Sequence, residues 1–130
     1  MTEKGFVKKY HGKEIEDAGA YKSREFVLFA KDFRSTVKEI ATKKLGAQLS
    51  AFHTGHYDVS GFIEKDGKFI YFSYDEPRGS ALDLFRTDAC QGILIRTAKD
   101  ASDYTGGQNN FTNIMNFASV AERLLERGCA

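Results

Sequence analysis

The sequence predicts an α+β domain, in which an N-terminal and a C-terminal helix pack on a mostly antiparallel sheet of about four strands. The strongest indication is Asp66-Gly67, which separates two apolar-rich stretches, 57–65 and 68–75, and is typical of a two-residue type I′ hairpin turn. Helical periodicity appears on both sides of this β region. With 130 residues, 42% of them hydrophobic, the chain has the size of one domain, so we expect residues 1–130 to fold as a single unit.

The first 22 residues are charged and contain several glycines, which predicts a mobile N-terminal arm or a small hairpin. A helix follows, with Ser23 as its N-cap and Gly46 just past its end. The three- and four-residue spacing of its apolar positions places them on one face. These positions are Phe26, Ala30, Phe33, Val37, Ile40 and Ala41. Because Ser35-Thr36 followed by Glu39 resembles a capping box, a second, shorter helix beginning there is the alternative.

A two-residue turn at Asp66-Gly67 also determines the register of the hairpin, since each strand residue then has one partner. The predicted core side carries Val59, Ile63, Ile70, Phe72 and Tyr74. On the other side, Phe62 lies opposite Tyr71, with Phe69 beside them. Aromatic rings on a sheet face stack bases in single-strand nucleic-acid binders. Alternatively, a helix or loop covers them, or they are ordinary cross-strand pairs. Further strands are expected near 47–52 and 91–96.

The last helix is expected from about Phe111 to Arg127, with Asn109 or Asn110 as its cap and Gly128 at its end. Between it and the preceding strand, a polar connection of about a dozen residues follows Arg96, and connections of that length are often functional. The segment 76–80 is expected to turn, and 80–87 to form a short helix or loop.

Composition excludes several classes of protein. A formal net charge of +1 provides no global basic field for nucleic acid or membrane. No apolar run approaches the roughly 20 residues that span a bilayer, and the first residues lack the apolar core of a signal peptide. Cys90 and Cys129 are too few for a secreted disulfide framework, so we interpret them as free thiols. We therefore expect a cytoplasmic protein without a membrane partner, and its oligomeric state is left open.

The candidate binding residues cluster around the polar connection and the loops near it. Arginine offers a planar donor fork suited to carboxylates and phosphates, and tyrosine is frequent in interface hot spots. The alternatives are that each arginine pairs with a nearby acidic residue and that the glycines only allow a turn. No Lys-Ser or Lys-Thr follows Gly106-Gly107, so the segment is not a P-loop. The candidates are Arg78, Arg86, Arg96, Asp103, Tyr104, Thr105, Gly106, Gly107, Asn109, Phe62 and Tyr71.

The predicted register also places Asp58 opposite Asp75, and like charges across a ladder are destabilising. A cation would relieve this repulsion, and His53 and His56 are near enough in sequence to suggest a metal site. The alternative is that the ladder frays before Asp58. No nucleophile-elbow pattern occurs, so no catalytic residue is assigned. No resident metal or cofactor is assigned either.

These observations favour a non-enzymatic binding protein that occludes a protein or a protein–nucleic-acid complex. A short, Phe- and Tyr-rich domain without catalytic motifs resembles the small inhibitor or accessory proteins of phages and other mobile elements, although no motif carries this resemblance. The alternative is a small metal- or nucleotide-binding enzyme that uses His53, His56, Asp58 and Asp75, or Arg96 with Gly106-Gly107. Direct nucleic-acid binding is a third hypothesis.

Overall fold

The computed structural model describes residues 1–10, 24–54, 58–75, 93–104 and 107–127, which form an α+β fold with a five-stranded antiparallel sheet in the order β1-β2-β3-β4-β5. The predicted fold class is thus confirmed, with five strands instead of about four. The elements are α1 (Glu3–Tyr10), α2 (Arg24–Glu39), a π-helical turn (Ile40–Lys44), β1 (Gln48–Thr54), β2 (Asp58–Lys65), β3 (Lys68–Asp75), β4 (Ile93–Ala98), β5 (Asn110–Thr112) and α3 (Phe117–Arg127).

The β2–β3 hairpin has the predicted register, in which Lys65 pairs with Lys68 and Phe62 with Tyr71. Asp66 and Gly67 both have positive φ, 52° and 79°, as a type I′ turn requires. All the side chains predicted for the core side are buried, at 3% exposure or less. The turn chemistry therefore specifies which face of the sheet receives the helices.

Phe33 of α2 lies where the layers of the core meet. Its ring centroid is 6.0 Å from that of Phe6 on α1, 6.0 Å from that of Phe72 and 5.7 Å from that of Tyr74 on β3. Phe72 in turn lies 5.7 Å from Phe117 of α3. Burial in this core raises the pKa of the Tyr74 hydroxyl well above its ordinary value.

The N-terminal segment differs from the expected arm or hairpin, because residues 3–10 form the helix α1. The side chain of Thr2 caps it, since its hydroxyl accepts a hydrogen bond from the backbone N–H of Gly5 at 3.0 Å. Phe6 and Tyr10, four residues apart, lie on one face and pack against Phe29 of α2. A helix this short is stabilised mainly by such tertiary contacts. Residues 11–22 of the predicted arm lie outside the described residues.

Asp32 attaches α1 to α2. Its Oδ2 accepts hydrogen bonds from the Tyr10 hydroxyl at 2.5 Å and from Nζ of Lys9 at 2.7 Å. Burial alone would raise the pKa of this carboxyl, but the bonds from Lys9 and Tyr10 outweigh it and hold the pKa below its ordinary value. The helix α2 continues through Ser35-Thr36, where the hydroxyl of Thr36 donates to the carbonyl of Asp32 at 2.7 Å. The second helix considered there is therefore absent from this described segment.

The C-terminal helix begins later than the sequence indicates. Asn110–Thr112 form β5, in which Phe111 pairs with Leu94 of β4, and α3 starts only at Phe117. Asn109 and Asn110 therefore lie too far upstream to cap α3, and the turn just before the helix is closed by Oδ1 of Asn113, which accepts a hydrogen bond from the N–H of Asn116 at 2.8 Å. The predicted start at Phe111 was wrong because a non-local pairing overrides the local helical pattern.

Several predictions fall outside the described residues. They concern the cap Ser23, the turn at 76–80, the short helix or loop at 80–87, the helix end at Gly128 and the thiols of Cys90 and Cys129. Across the part of the chain that is described, no helix is both long and apolar enough to cross a membrane.

Candidate recognition surface

The sheet face opposite the helices, here called the outer face, carries an aligned row of three side chains. Phe62 on β2 pairs with Tyr71 on β3, and Tyr71 pairs with Arg96 on β4. Directly opposed residues in an antiparallel sheet point to the same side, so these three side chains are neighbours. The sequence predicted the first pair from the turn, but it contained no signal for the register of β4.

The polar connection folds back over this row and adds a third ring to it. The centroid of Tyr104 lies 5.3 Å from that of Phe62 and 5.6 Å from that of Tyr71, both nearly edge-on. Phe62 is only 1% exposed, whereas Tyr104 remains 55% exposed. The loop therefore packs on Phe62, which is buried, and on Tyr71, which is half-buried, as one alternative anticipated, and its own ring, Tyr104, stays exposed to solvent. The ring of Phe62 is not accessible for stacking on a base.

Arg96 makes three contacts, one with the sheet and two that hold the loop. Its guanidinium carbon lies 4.6 Å from the centroid of the Tyr71 ring, within the range of cation–π attraction. Nη1 donates to Oδ1 of Asn109 at 3.0 Å, and Nη2 donates to the backbone carbonyl of Tyr104. Arg96 thus bonds neutral oxygens of Tyr104 and Asn109, and its donor fork is largely used within the protein.

The first half of the loop is organised by two aspartates. Oδ1 of Asp100 accepts a hydrogen bond from the N–H of Ser102 at 2.8 Å, an Asx-type turn. Oδ2 of Asp103 accepts one from the N–H of Lys99 at 2.9 Å. Asp103, a predicted binding residue, therefore bonds the backbone of its own loop, just before Tyr104.

Gly107 is required where the loop returns towards β4. Its φ is +75°, and a Cβ there would lie 2.5 Å from the carbonyl oxygen and 2.7 Å from the hydroxyl of Thr97. Only glycine accommodates both the left-handed backbone and this close approach. Gly107 therefore serves loop packing against β4, in agreement with the turn interpretation.

Phe111 is an outer-face residue that the sequence did not identify as a candidate. It is 55% exposed and pairs with Leu94, two residues before Arg96 on β4. That diagonal relation puts it roughly 7–8 Å from Arg96 between Cα atoms. Its position after two asparagines suggests a helix start. Its exposure could be predicted only by recognising that residues 110–112 form β5.

The other predicted site residues, Arg78, Arg86, Thr105 and Gly106, lie outside the described residues, so the convergence of the three arginines stays a prediction. The same holds for the metal hypothesis. Asp58 and Asp75 are paired in the ladder, which does not fray before them, but their side chains and His56 are not described. His53 is exposed on β1. Within the described ranges, no three His, Cys, Asp or Glu side chains are grouped to hold a metal.

Comparison with known proteins gives no match: no family model fits the chain, and neither the curated proteins nor the solved structures contain a similar one.

Proposed function

We propose that this protein is a non-enzymatic binding protein that recognises a protein or protein–nucleic-acid partner with its outer face. The observation that carries the proposal is Tyr104, a ring 55% exposed yet held by Phe62 and Tyr71 on one side. Its own carbonyl is bonded by Arg96. Tyrosine is among the residue types that dominate interface hot spots, and a side chain ordered before binding loses less entropy.

Phe111 extends this surface with a second exposed apolar ring. Tyr104 and Phe111 flank Arg96, one through the loop and one through β5. Two exposed aromatic side chains on a hydrogen-bonded base resemble the central anchors of protein interfaces, which a polar rim surrounds. The rim here includes Lys99, Asp100 and Asn109.

In this proposal the protein acts by occlusion, and its function needs no catalytic group. Binding through Tyr104 and Phe111 covers a surface that the partner needs for its own interactions. This is the mode of action expected for an inhibitor or accessory protein of a phage or another mobile element, working in the cytoplasm.

The test is to recover the partner by affinity purification from the native cell, identify it, and measure binding to the purified partner by calorimetry. Tyr104→Ala should weaken binding by roughly 10- to 30-fold, as expected for a hot-spot residue. Arg96→Ala should also weaken it, because the loop loses its attachment.

The matched control is Met115→Ala, which removes another exposed apolar side chain, 46% exposed, on the helix side, where it lines a cavity with Met1 and Ile40. It should leave affinity unchanged. If Tyr104→Ala and Arg96→Ala fold normally by circular dichroism and bind the partner as tightly as the unaltered protein, the proposal is wrong.

A further inference from the structure

The strand β1 forms one edge of the sheet and differs from the other edge in length. It runs for seven residues, Gln48–Thr54, and none of the described strands pairs with its outer side. The strand at the opposite edge, β5, has only three residues. An edge strand presents backbone N–H and C=O groups that another extended segment can pair with, and short edges limit this.

The composition of β1 leaves that edge unprotected. Its sequence, QLSAFHT, contains no Lys, Arg, Asp, Glu or Pro, the residues with which proteins usually block edge pairing. One irregularity occurs between Leu49 and Ala51, but from Ala51 to Thr54 the pairing with β2 is regular. Four consecutive residues therefore have a regular extended conformation, and no described strand pairs with their outer side.

A row of basic side chains on α2 lies beside this edge. Lys31, Arg34 and Lys38 are spaced by three and four residues, so they share one helix face, and all three are exposed. The guanidinium of Arg34 lies 5.8 Å from the centroid of the Phe52 ring on β1. Arg34 therefore places this basic row, Lys31, Arg34 and Lys38, next to the helix side of β1, with Lys31 and Lys38 on the same exposed helix face.

None of the described acidic side chains forms an ion pair with the basic row. The two acidic residues of α2 with described side chains, Asp32 and Glu39, face α1 and are engaged by Lys9 and by the N-terminal ammonium, at 2.7 and 2.9 Å. Lys31 helps to lower the pKa of the Asp32 carboxyl, whereas no described acidic side chain pairs with Arg34 or Lys38. The positive charge without a described acidic partner therefore lies at Arg34, which contacts β1, and at Lys38 on the same helix face.

We propose that the β1 edge and the basic row together bind an extended acidic segment of another protein. The segment adds a sixth strand to the sheet through backbone hydrogen bonds to β1, a recurring mode of peptide recognition. Because alternate side chains of a strand point to the same face, Asp or Glu at every second position would lie towards Lys31, Arg34 and Lys38. Backbone pairing supplies the docking geometry, and the charges supply the selectivity.

A second copy of this chain is a poorer occupant of the same edge. Antiparallel pairing of two β1 strands about a two-fold axis perpendicular to the sheet would bring both basic rows to the same side, next to each other. Like charges placed together at an interface oppose association. The charge distribution therefore favours an acidic partner over self-association. This site is distinct from the outer-face surface around Tyr104.

The experiment is to select a display library of random linear peptides, about twelve residues long, on the full chain. The enriched peptides are then measured by fluorescence anisotropy. We expect enrichment of Asp or Glu at alternate positions and affinity that falls as salt is raised. The double variant Arg34→Glu/Lys38→Glu should lose roughly tenfold or more in affinity, and Arg34→Gln/Lys38→Gln an intermediate amount. Hydrogen exchange should show bound peptide protecting the amides of β1.

The matched control is Lys99→Glu, the same charge reversal at an exposed lysine of the outer-face loop, which should not change peptide binding. Tyr104→Ala should not change it either, which separates this proposal from the proposed function. Enrichment without an acidic excess, no enrichment, protection away from β1, or equal binding by the Arg34/Lys38 variants would overturn the proposal. A dimer in sedimentation, together with protection of the β1 amides in hydrogen exchange without peptide, would also overturn it, because a second copy would then occupy the edge.

Discussion

On the helix side of the sheet, Ile63, Ile70 and Phe72 are completely buried among side chains from three helices. On the outer face, the loop after β4 packs on Phe62 through the ring of Tyr104. That ring remains more than half exposed. The first face is stabilised by many apolar contacts from distant parts of the chain. The second depends on a few polar contacts, chiefly those of Arg96 and the two loop aspartates.

Under the proposed function, this difference separates the residues that stabilise the fold from those that recognise a partner. Apolar burial on the helix side contributes most of the free energy of folding, since it scales with the area removed from water. We expect the outer-face loop to contribute less and to open without unfolding the domain, because local opening requires breaking only the contacts of that segment. We therefore expect substitutions on the helix side to act on global unfolding, and substitutions in the loop to act mainly on local order and binding.

The largest effect is expected for Phe33→Ala. Phe33 is fully buried and its ring contacts α1, β1 and β3, so truncation leaves a cavity where three elements meet. The free energy of unfolding should fall by about 3–5 kcal/mol, measured by urea denaturation. Phe111→Ala, which shortens an exposed ring on the outer face, should change it by less than about 0.5 kcal/mol. Similar losses for the two variants would contradict the division between the faces.

A smaller effect is expected for Gly107→Ala. The added Cβ meets Thr97 at 2.5 Å in a backbone conformation with φ of +75°, so the loop must move away from β4. We expect a loss of about 1–3 kcal/mol of loop stability, observed as faster amide hydrogen exchange in 99–104 and 107–109.

Gly67→Ala is the matched control for Gly107→Ala, because Gly67 has φ of +79° but nothing within 4 Å of its Cβ position. It should show only the cost of the left-handed backbone, about 1 kcal/mol, and no change in loop exchange. If both variants behave alike, the contact with Thr97 contributes nothing to holding the loop.

The sequence predicts the hairpin well because its determinants are local. Asp66-Gly67 specifies the turn, the turn specifies the register, and the register decides that Phe62 and Tyr71 share a face. The same reasoning fails at the two ends of the chain. Phe6 and Tyr10 form a helix because α2 packs on them, and Phe111 forms a strand because β4 pairs with it. Both outcomes depend on residues distant in sequence.

The candidate surface is predicted from the sequence only in part. Its members Phe62, Tyr71, Arg96 and Tyr104 are recognisable as polar-loop and sheet-face residues, but the sequence offers no means of knowing that Arg96 bonds the carbonyl of Tyr104. A loop conformation results from many weak contacts, and no periodicity encodes it. Phe111 was missed for a related reason, since its exposure results from the pairing of β5 with β4 and not from the residues next to it in sequence.

The most local effect is expected for Arg96→Lys. Lysine keeps the positive charge but lacks the planar fork that bonds Asn109 and Tyr104 together while lying over Tyr71. Loss of about one net hydrogen bond, roughly 1 kcal/mol, should speed amide exchange in the loop about fivefold, while the exchange of core amides stays unchanged. Arg34→Lys is the control, because Arg34 also lies over a ring, that of Phe52, but on the helix side. If Arg96→Lys leaves loop exchange as slow as Arg34→Lys does, the guanidinium of Arg96 is not what orders the outer face. Tyr104 would then be held by its ring contacts alone.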